Sequence, residues 1–570
     1  MKKILGYLKP YSRLIAKSLS VKSFATIMEL FLPWILATMI DFIIPTKSIP
    51  RVLFYGGLML GSSLLALLGN VVANRMAARI SSDAIRDLRD DAYKHIMRFS
   101  NRSVDRFTIP SLISRMTTDT YHIYRMFNVI QRIGIRAPIL LLGSIVMMLF
   151  IDTYLAFVLI ALLPIITWVI LLISGKGIPF YDRLQSSLDQ LIRVVRENIT
   201  GIRIIKALAK EDFEKEKFNE VNEDVSRKER TAGYVIASLN PLMNLILNGG
   251  LVLILGIGAY RVTEGLSKSG SILAFLTYFG LILNSFLAIN RIFLLFSRSN
   301  ASSDRIAMIL DEKEELVQMP LDTHDEANYI AFKDVSFSYN QTKADLDHIS
   351  FAIKRGSTFG IIGSTGSGKS TIAQLLLRFY EIDKGSIWVD GQDIRAYDVQ
   401  VLRRKFGVVF QQDALFSYSV KENIQFGRDV ELNMVLEAAD MAQAKPFIEQ
   451  LQDQYEAKVL RSGANFSGGQ RQRMLIARAL ADNPEIIILD DASSALDYQT
   501  DAQLRQAIKQ RMQATTILIA QRISTVLHAD QILVLEDGKV VGLGTHQELA
   551  KTCPLYQELM VLQLGGSENE

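Results

Sequence analysis

Four runs of this sequence contain no Asp, Glu, Lys or Arg over lengths that few water-soluble folds tolerate: residues 52–74, 153–175, 231–260 and 269–290. A helix rises 1.5 Å per residue, so about 20 apolar residues cross a hydrocarbon core of about 30 Å. Each run is long enough. Two weaker runs complete the pattern: residues 19–44 carry Lys22 and Glu29, and residues 137–151 follow turns that hold Arg132 and Arg136. Six transmembrane helices are expected within residues 1–310.

Charge orients them. Residues 75–136 hold twelve Lys and Arg, whereas the outer loops offer only Lys47, Arg51, Arg261 and Lys268. The positive-inside rule then puts both chain ends in the cytosol. The basic start, MKKILGYLKPYSRL, lacks a small-residue cleavage site and is expected to remain. The polar segments between spans 2 and 3 and between spans 4 and 5 are long and helix-friendly, so they are expected to project into the cytosol as a mechanical link.

At 570 residues the chain exceeds a single core, and two domains are expected. A hydrophobic share of 49% with 21% charged residues excludes a disordered chain. The 63 basic residues are balanced by 59 acidic ones, which gives no support to a nucleic-acid partner. Cys553 stands alone and His95, His122, His324, His348, His528 and His546 show no short ligand spacing, so neither a disulfide framework nor structural zinc is expected.

Residues 311–328 turn acidic and lose apolar period, as a linker does. Residues 329–570 read as a soluble α/β domain, with strands at 330–337, 359–362, 486–489, 516–520 and 532–535. The second strand runs into GSTGSGKST, comprising Gly363, Ser364, Thr365, Gly366, Ser367, Gly368, Lys369, Ser370 and Thr371, and then into a helical pattern. Strand, glycine-rich loop and helix in that order are what a phosphate cradle requires. Lys369 is expected to neutralise the β and γ phosphates of ATP, and Ser370 to offer its hydroxyl to Mg²⁺. Asp490, ending the apolar run EIIILDD, suits the Mg²⁺ shell.

FSGGQRQR at 466–473 is similar to the signature of ABC ATPases, and the order P-loop, Gln411, signature, Asp490, SALD (494–497) and Gln521 resembles the ABC cassette. With six spans ahead of it, the whole chain resembles an ABC exporter half-transporter. The stretches 112–119, 201–211 and 301–310 resemble that family's two intracellular loops and its linker entry. The resemblance implies an all-α polytopic membrane domain followed by an α/β ABC ATPase domain, in the bacterial cytoplasmic membrane. It implies that Tyr339 stacks on adenine and that Gln411 reaches Mg²⁺ and the attacking water, with Gln412 as rival. It also implies that Ser467, Gly468, Gly469 and Gln470 act in trans on ATP held by a second half-transporter.

Two positions depart from the family. The glutamate that usually follows the Walker B aspartate is Asp491, shorter by one methylene, about 1.5 Å of reach. The switch histidine is Gln521, whose amide hydrogen-bonds but does not titrate near neutral pH. Residues 459–463 read VLRSG where the family often shows VGERG. The pattern resembles the degenerate-site subunit of bacterial heterodimeric exporters, which binds ATP, hydrolyses it slowly and lends a working signature to its partner.

The expected function is ATP-driven export of amphipathic compounds or drugs. Glu29, Asn70, Asn74, Asn240, Asn244, Asn248 and Asn284 are the polar candidates for a cavity or for interhelical bonds. A lipid or lipopeptide flippase shares these energetics. An ATP-gated channel or membrane ATP sensor is the rival of a different class.

Overall fold

The uncharged runs become long helices. Ile49–Ile96 runs 48 residues, about 72 Å at 1.5 Å per residue, so more than half of it extends past a hydrocarbon core. Ser269–Asp311 runs 43. The computed structural model describes residues 1–312, 318–319, 328–340, 343–411, 413–492 and 495–564; most of the expected linker, Gln412 and Ser494 lie outside this set. Among the described residues five segments are long and apolar enough to cross a membrane: Lys2–Thr46, Ile49–Ile96, Ile109–Ile151, Asn244–Thr263 and Ser269–Phe293. The span expected at 153–175 falls on helices Thr153–Ile160 and Leu163–Thr200, where several side chains are outside the described set.

These helices make up a first unit, Met1–Ile96 with Pro110–Asp311. Lipid is as apolar as leucine, so close backbone approach and interhelical hydrogen bonds hold such helices together. Gly69 permits one approach: a Cβ there would lie 2.8 Å from that of Ala25. The buried Tyr278 hydroxyl donates to the Leu30 carbonyl oxygen at 2.7 Å, tying the last long helix to the first.

The second unit is Met97–Ile109 with Glu312–Glu570. Among the described residues it has ten strands: β1 Ile330–Phe337, β2 Leu346–Ile353, β3 Thr358–Gly363, β4 Lys384–Val389, β5 Gln392–Asp393, β6 Phe406–Val409, β7 Ile486–Asp490, β8 Thr515–Ala520, β9 Gln531–Glu536 and β10 Lys539–Gly544. A four-stranded antiparallel sheet has the order β2-β1-β4-β5, and a six-stranded sheet has the order β10-β9-β3-β8-β7-β6. The neighbours β9, β3, β8, β7 and β6 pair in parallel, with β10 antiparallel at the edge. Parallel strands covered on both faces need continuous apolar sequence, and β8, TTILIA, is buried at every position. This order puts the carboxyl ends of β3, β8 and β7 side by side.

Residues 97–109, between spans 2 and 3 in sequence, belong to this second unit. Their helix, Asn101–Phe107, is capped by the Ser100 hydroxyl. The Tyr380 hydroxyl donates to Asp105 Oδ2 at 2.6 Å, the Ser103 hydroxyl to Glu312 Oε1 at 2.7 Å, and the Asn101 amide to the Phe379 carbonyl at 3.3 Å.

Candidate nucleotide site

At the carboxyl end of β3 the chain turns sharply into helix Lys369–Leu376. Gly366 and Gly368 sit at φ of 84° and 96°, where a side chain is strained. A Cβ on Gly368 would also lie 2.5 Å from Leu346 Cδ2. The turn is therefore held by both backbone and packing. It aims the helix N-terminus and the loop's N–H groups at one place, the arrangement that binds phosphate.

A cavity of about 270 Å³ opens there, lined by Tyr339, Thr365, Gly366, Gly368, Lys369, Ser370, Thr371, Gln411, Asp490, Asp491 and Gln521, with Asp345, Ile519 and Ala520 completing the wall. Residues expected from five separate stretches, Tyr339, the P-loop, Gln411, Asp490 with Asp491, and Gln521, thus meet, the P-loop, Asp490 and Gln521 because β3, β7 and β8 are neighbours. Lys369 is buried and its ammonium donates to the carbonyl oxygens of Gly363 at 2.9 Å and Ser364 at 2.6 Å. Burial lowers its pKa, while Asp490 and Asp491 pull the other way. Asp490 is only 4% exposed. Burial raises its carboxyl, the Ser370 hydroxyl bonded to it opposes that shift, and Asp491 adds to it.

The hard oxygen donors of Ser370, Gln411 and Asp490 share this cavity, and Ser370 already bonds Asp490. That donor set fits Mg²⁺, which takes few protein oxygens and completes its shell with phosphate and water. Bound there, the ion would neutralise phosphate charge.

Tyr339 is anchored before any stacking. Its hydroxyl bonds Gln374 Oε1 at 2.6 Å and Thr371 Oγ1 at 3.2 Å, and its ring stands edge-on to Phe337 and Tyr380 with centroids 4.9 and 5.1 Å away. Asp491 adopts φ of 51°, a conformation Asp tolerates better than most residues, and its amide donates to the Ile519 carbonyl at 2.8 Å. The Gln521 carbonyl accepts from Gln563 Nε2 at 2.8 Å, and Gln563 Oε1 accepts from the Ile523 amide at 2.8 Å. Asp345, Gln374 and Gln563 carry no motif signal; only folding brings them here.

The signature is built differently. Ser467 caps helix Gly468–Leu480 by accepting from the Gln470 amide at 3.2 Å, and Gln470 Oε1 accepts from the Ser467 amide at 2.9 Å. Serine followed by glutamine at the third position closes this reciprocal box. Ser467 and Gly468 are exposed, Gly469 and Gln470 half-buried, and none of the four lines the P-loop cavity.

Comparison with known proteins identifies the family. Residues 15–286 match the family model of the ABC transporter transmembrane region and residues 346–494 that of the ABC transporter. YfiB of Bacillus subtilis, an uncharacterized ABC transporter ATP-binding protein, is 34% identical over 100% of both chains. The chain belongs to the ABC transporter family. It is a half-transporter of the exporter kind, with a membrane region fused to an ATP-binding cassette. An ATP-dependent lipid A-core flippase of Idiomarina loihiensis is 30% identical over 99% of this chain and 98% of its own. A bacterial Atm1-family ABC exporter solved with ATP bound shares the fold, with a TM-score of 0.81, 24% identity, and coverage of 98% and 99% of the two chains.

Proposed function

We propose that this half-transporter holds ATP in its own cavity, hydrolyses it slowly, and supplies its signature to ATP held by a different half-transporter. The observation that carries the reading is the composition of the cavity wall: Thr365, Gly366, Gly368, Lys369, Ser370 and Thr371 of the P-loop, Gln411 and Asp490 are present, yet the positions for base and switch are Asp491 and Gln521. A general base works only within hydrogen-bonding reach of its water, and the aspartate gives up about 1.5 Å of that reach. Lys369 and the loop N–H groups hold phosphate, Tyr339 offers an aromatic face to adenine, and Ser370, Gln411 and Asp490 hold Mg²⁺. Binding is thus provided for, while activation of water is short by one methylene.

A partner is supported by the tip of the second long connection, where Ile199, Ile204, Leu208 and Phe213 are 69%, 65%, 64% and 62% exposed. Clustered exposed apolar residues mark interaction surfaces. We take the transported material to be amphipathic, drug or lipid; the flippase name among the relatives supports the lipid version. The chain's termini and cassette lie on the cytosolic side of a bacterial membrane in this reading. The test is single-turnover hydrolysis by the purified chain, alone and with the second half-transporter. Slow turnover alone with fast turnover in the pair supports the proposal, and fast turnover alone overturns it.

A further inference from the structure

Strand β8 ends at Ala520, and the next residue, Gln521, already lines the nucleotide cavity. The chain then enters the short helix Ile523–Val526. Past the end of a strand the ladder no longer supplies backbone partners, so the groups there are met by side chains or by water. Here side chains meet them from two directions.

The first is helix Pro554–Leu564. Gln563 reaches out from it with both ends of its amide: Nε2 donates to the Gln521 carbonyl at 2.8 Å, and Oε1 accepts from the Ile523 amide at 2.8 Å. The second is helix Tyr498–Arg511, which starts at Asp497 of SALD. Its Arg505 pairs with Asp501 at 2.7 Å and donates to the carbonyls of Ser524 and Thr525 at 3.2 and 3.0 Å. Ile523 and Val526 between these grips are fully buried. The segment 521–526 is thus held at both ends by residues that do not line the cavity.

Each residue has only two soft backbone dihedrals, so tying the Gln521 carbonyl and the Ile523 amide to one side chain fixes the backbone from which the Gln521 side chain starts. Glutamine is long and rich in rotamers, which makes that starting direction count. Loop stability alone does not ask for this arrangement. The bond to the Gln521 carbonyl is exposed, and Gln563 itself is exposed, so water would satisfy that carbonyl nearly as well.

We propose that Gln563 is a positioning residue for the cavity: by fixing the backbone at Gln521 it aims that residue's amide at the terminal phosphate, and so sets the preference for ATP over ADP. The inference rests on reading Gln521 as the switch residue and names the element that governs it. Only the terminal phosphate distinguishes the two nucleotides, so aim toward it is read in the ratio of their affinities.

The test uses the full-length chain in nanodiscs with Mg²⁺, titrated with ADP and with adenylyl imidodiphosphate, an ATP analogue that is not hydrolysed. Gln563→Ala is expected to lower the preference for the triphosphate at least about threefold, the scale of one hydrogen bond, with ADP affinity unchanged. Gln563→Glu keeps an acceptor for the Ile523 amide but sets an oxygen against the Gln521 carbonyl, and its preference is expected to fall as far. Gln521→Ala gives the reference loss. Arg505 is left in place, because its removal would strand the largely buried Asp501 carboxylate. A preference lowered in Gln521→Ala but unchanged in both Gln563 variants overturns this proposal and leaves the switch reading standing. A preference unchanged in all three overturns the two together. Equal loss of affinity for ADP and for the analogue in Gln563→Ala also overturns the proposal, since the residue would then only support the fold.

Discussion

The P-loop cavity and the signature both lie at a helix N-terminus, yet they are built in opposite ways. The cavity gathers side chains at the ends of adjacent parallel strands and buries two of its charged members, Lys369 and Asp490. The signature holds its geometry by a local capping box and leaves Ser467 exposed. A buried site is specified by what surrounds it, and on the proposed reading that is why a one-methylene change at Asp491 would matter there. An exposed capped turn needs only its own few residues and is completed by whatever docks on it. One chain can therefore carry a weakened cavity and a sound signature together.

The strongest attempt to break this comparison is Ser467→Arg. A bulky cation replaces an exposed hydroxyl, and ATPase activity of the paired complex should fall at least 10²-fold, about 2.7 kcal/mol in barrier, while ATP binding to this chain's own cavity is unchanged. Loss of both together would show that the two sites are not separate. Lys369→Ala probes the other side. Removing the ammonium from the phosphate cradle should weaken ATP binding to this chain by about tenfold or more in a nucleotide titration, and unchanged affinity would remove the P-loop from the account.

Repair sharpens the contrast. In a complex whose partner glutamate is disabled, Asp491→Glu with Gln521→His should raise hydrolysis at this chain's cavity, toward the lower end of the roughly 10² to 10⁴ range of general-base effects. The double change should exceed the product of the singles, because both act on one reaction. A silent repaired cavity, with a consensus signature supplied opposite it, would mean that these two residues do not limit turnover. Tyr339→Ala should weaken ATP binding only severalfold, since one aromatic face contributes about 1 kcal/mol. The smallest effect belongs to the capping box: Gln470→Ala removes one of its two reciprocal bonds and should lower thermal stability by about 0.5 to 1 kcal/mol, read as a modest fall in melting temperature.

Much of the fold was legible because its signals are local. Uninterrupted apolar runs have few outcomes other than burial in lipid, and a strand, a glycine-rich loop and a helix that follow one another in sequence form one continuous turn of backbone. The runs 359–362, 486–489 and 516–520 became β3, β7 and β8 with one added residue at most at each end. The edge strands β2 and β10 and the short strands β4, β5 and β6 had not been expected. Such elements are stabilised by the neighbours they pair with rather than by a period of their own.

Residue type at short range thus specified the membrane-spanning character of the first part, the glycine-rich loop between strand and helix, and the two departures at Asp491 and Gln521, while the capping box of the signature emerged from the structure. Only the tertiary structure decided that β8 lies between β3 and β7, which brings Gln521 beside Lys369 and Asp490. It also decided that residues 97–109 join the cassette's unit through Asp105 and Tyr380, that Gln563 holds the loop after β8, and that Lys22 is shared by Asn70 and Asn74. These contacts join residues tens to hundreds of positions apart. No local pattern encodes them, because their energy exists only once the intervening chain has packed.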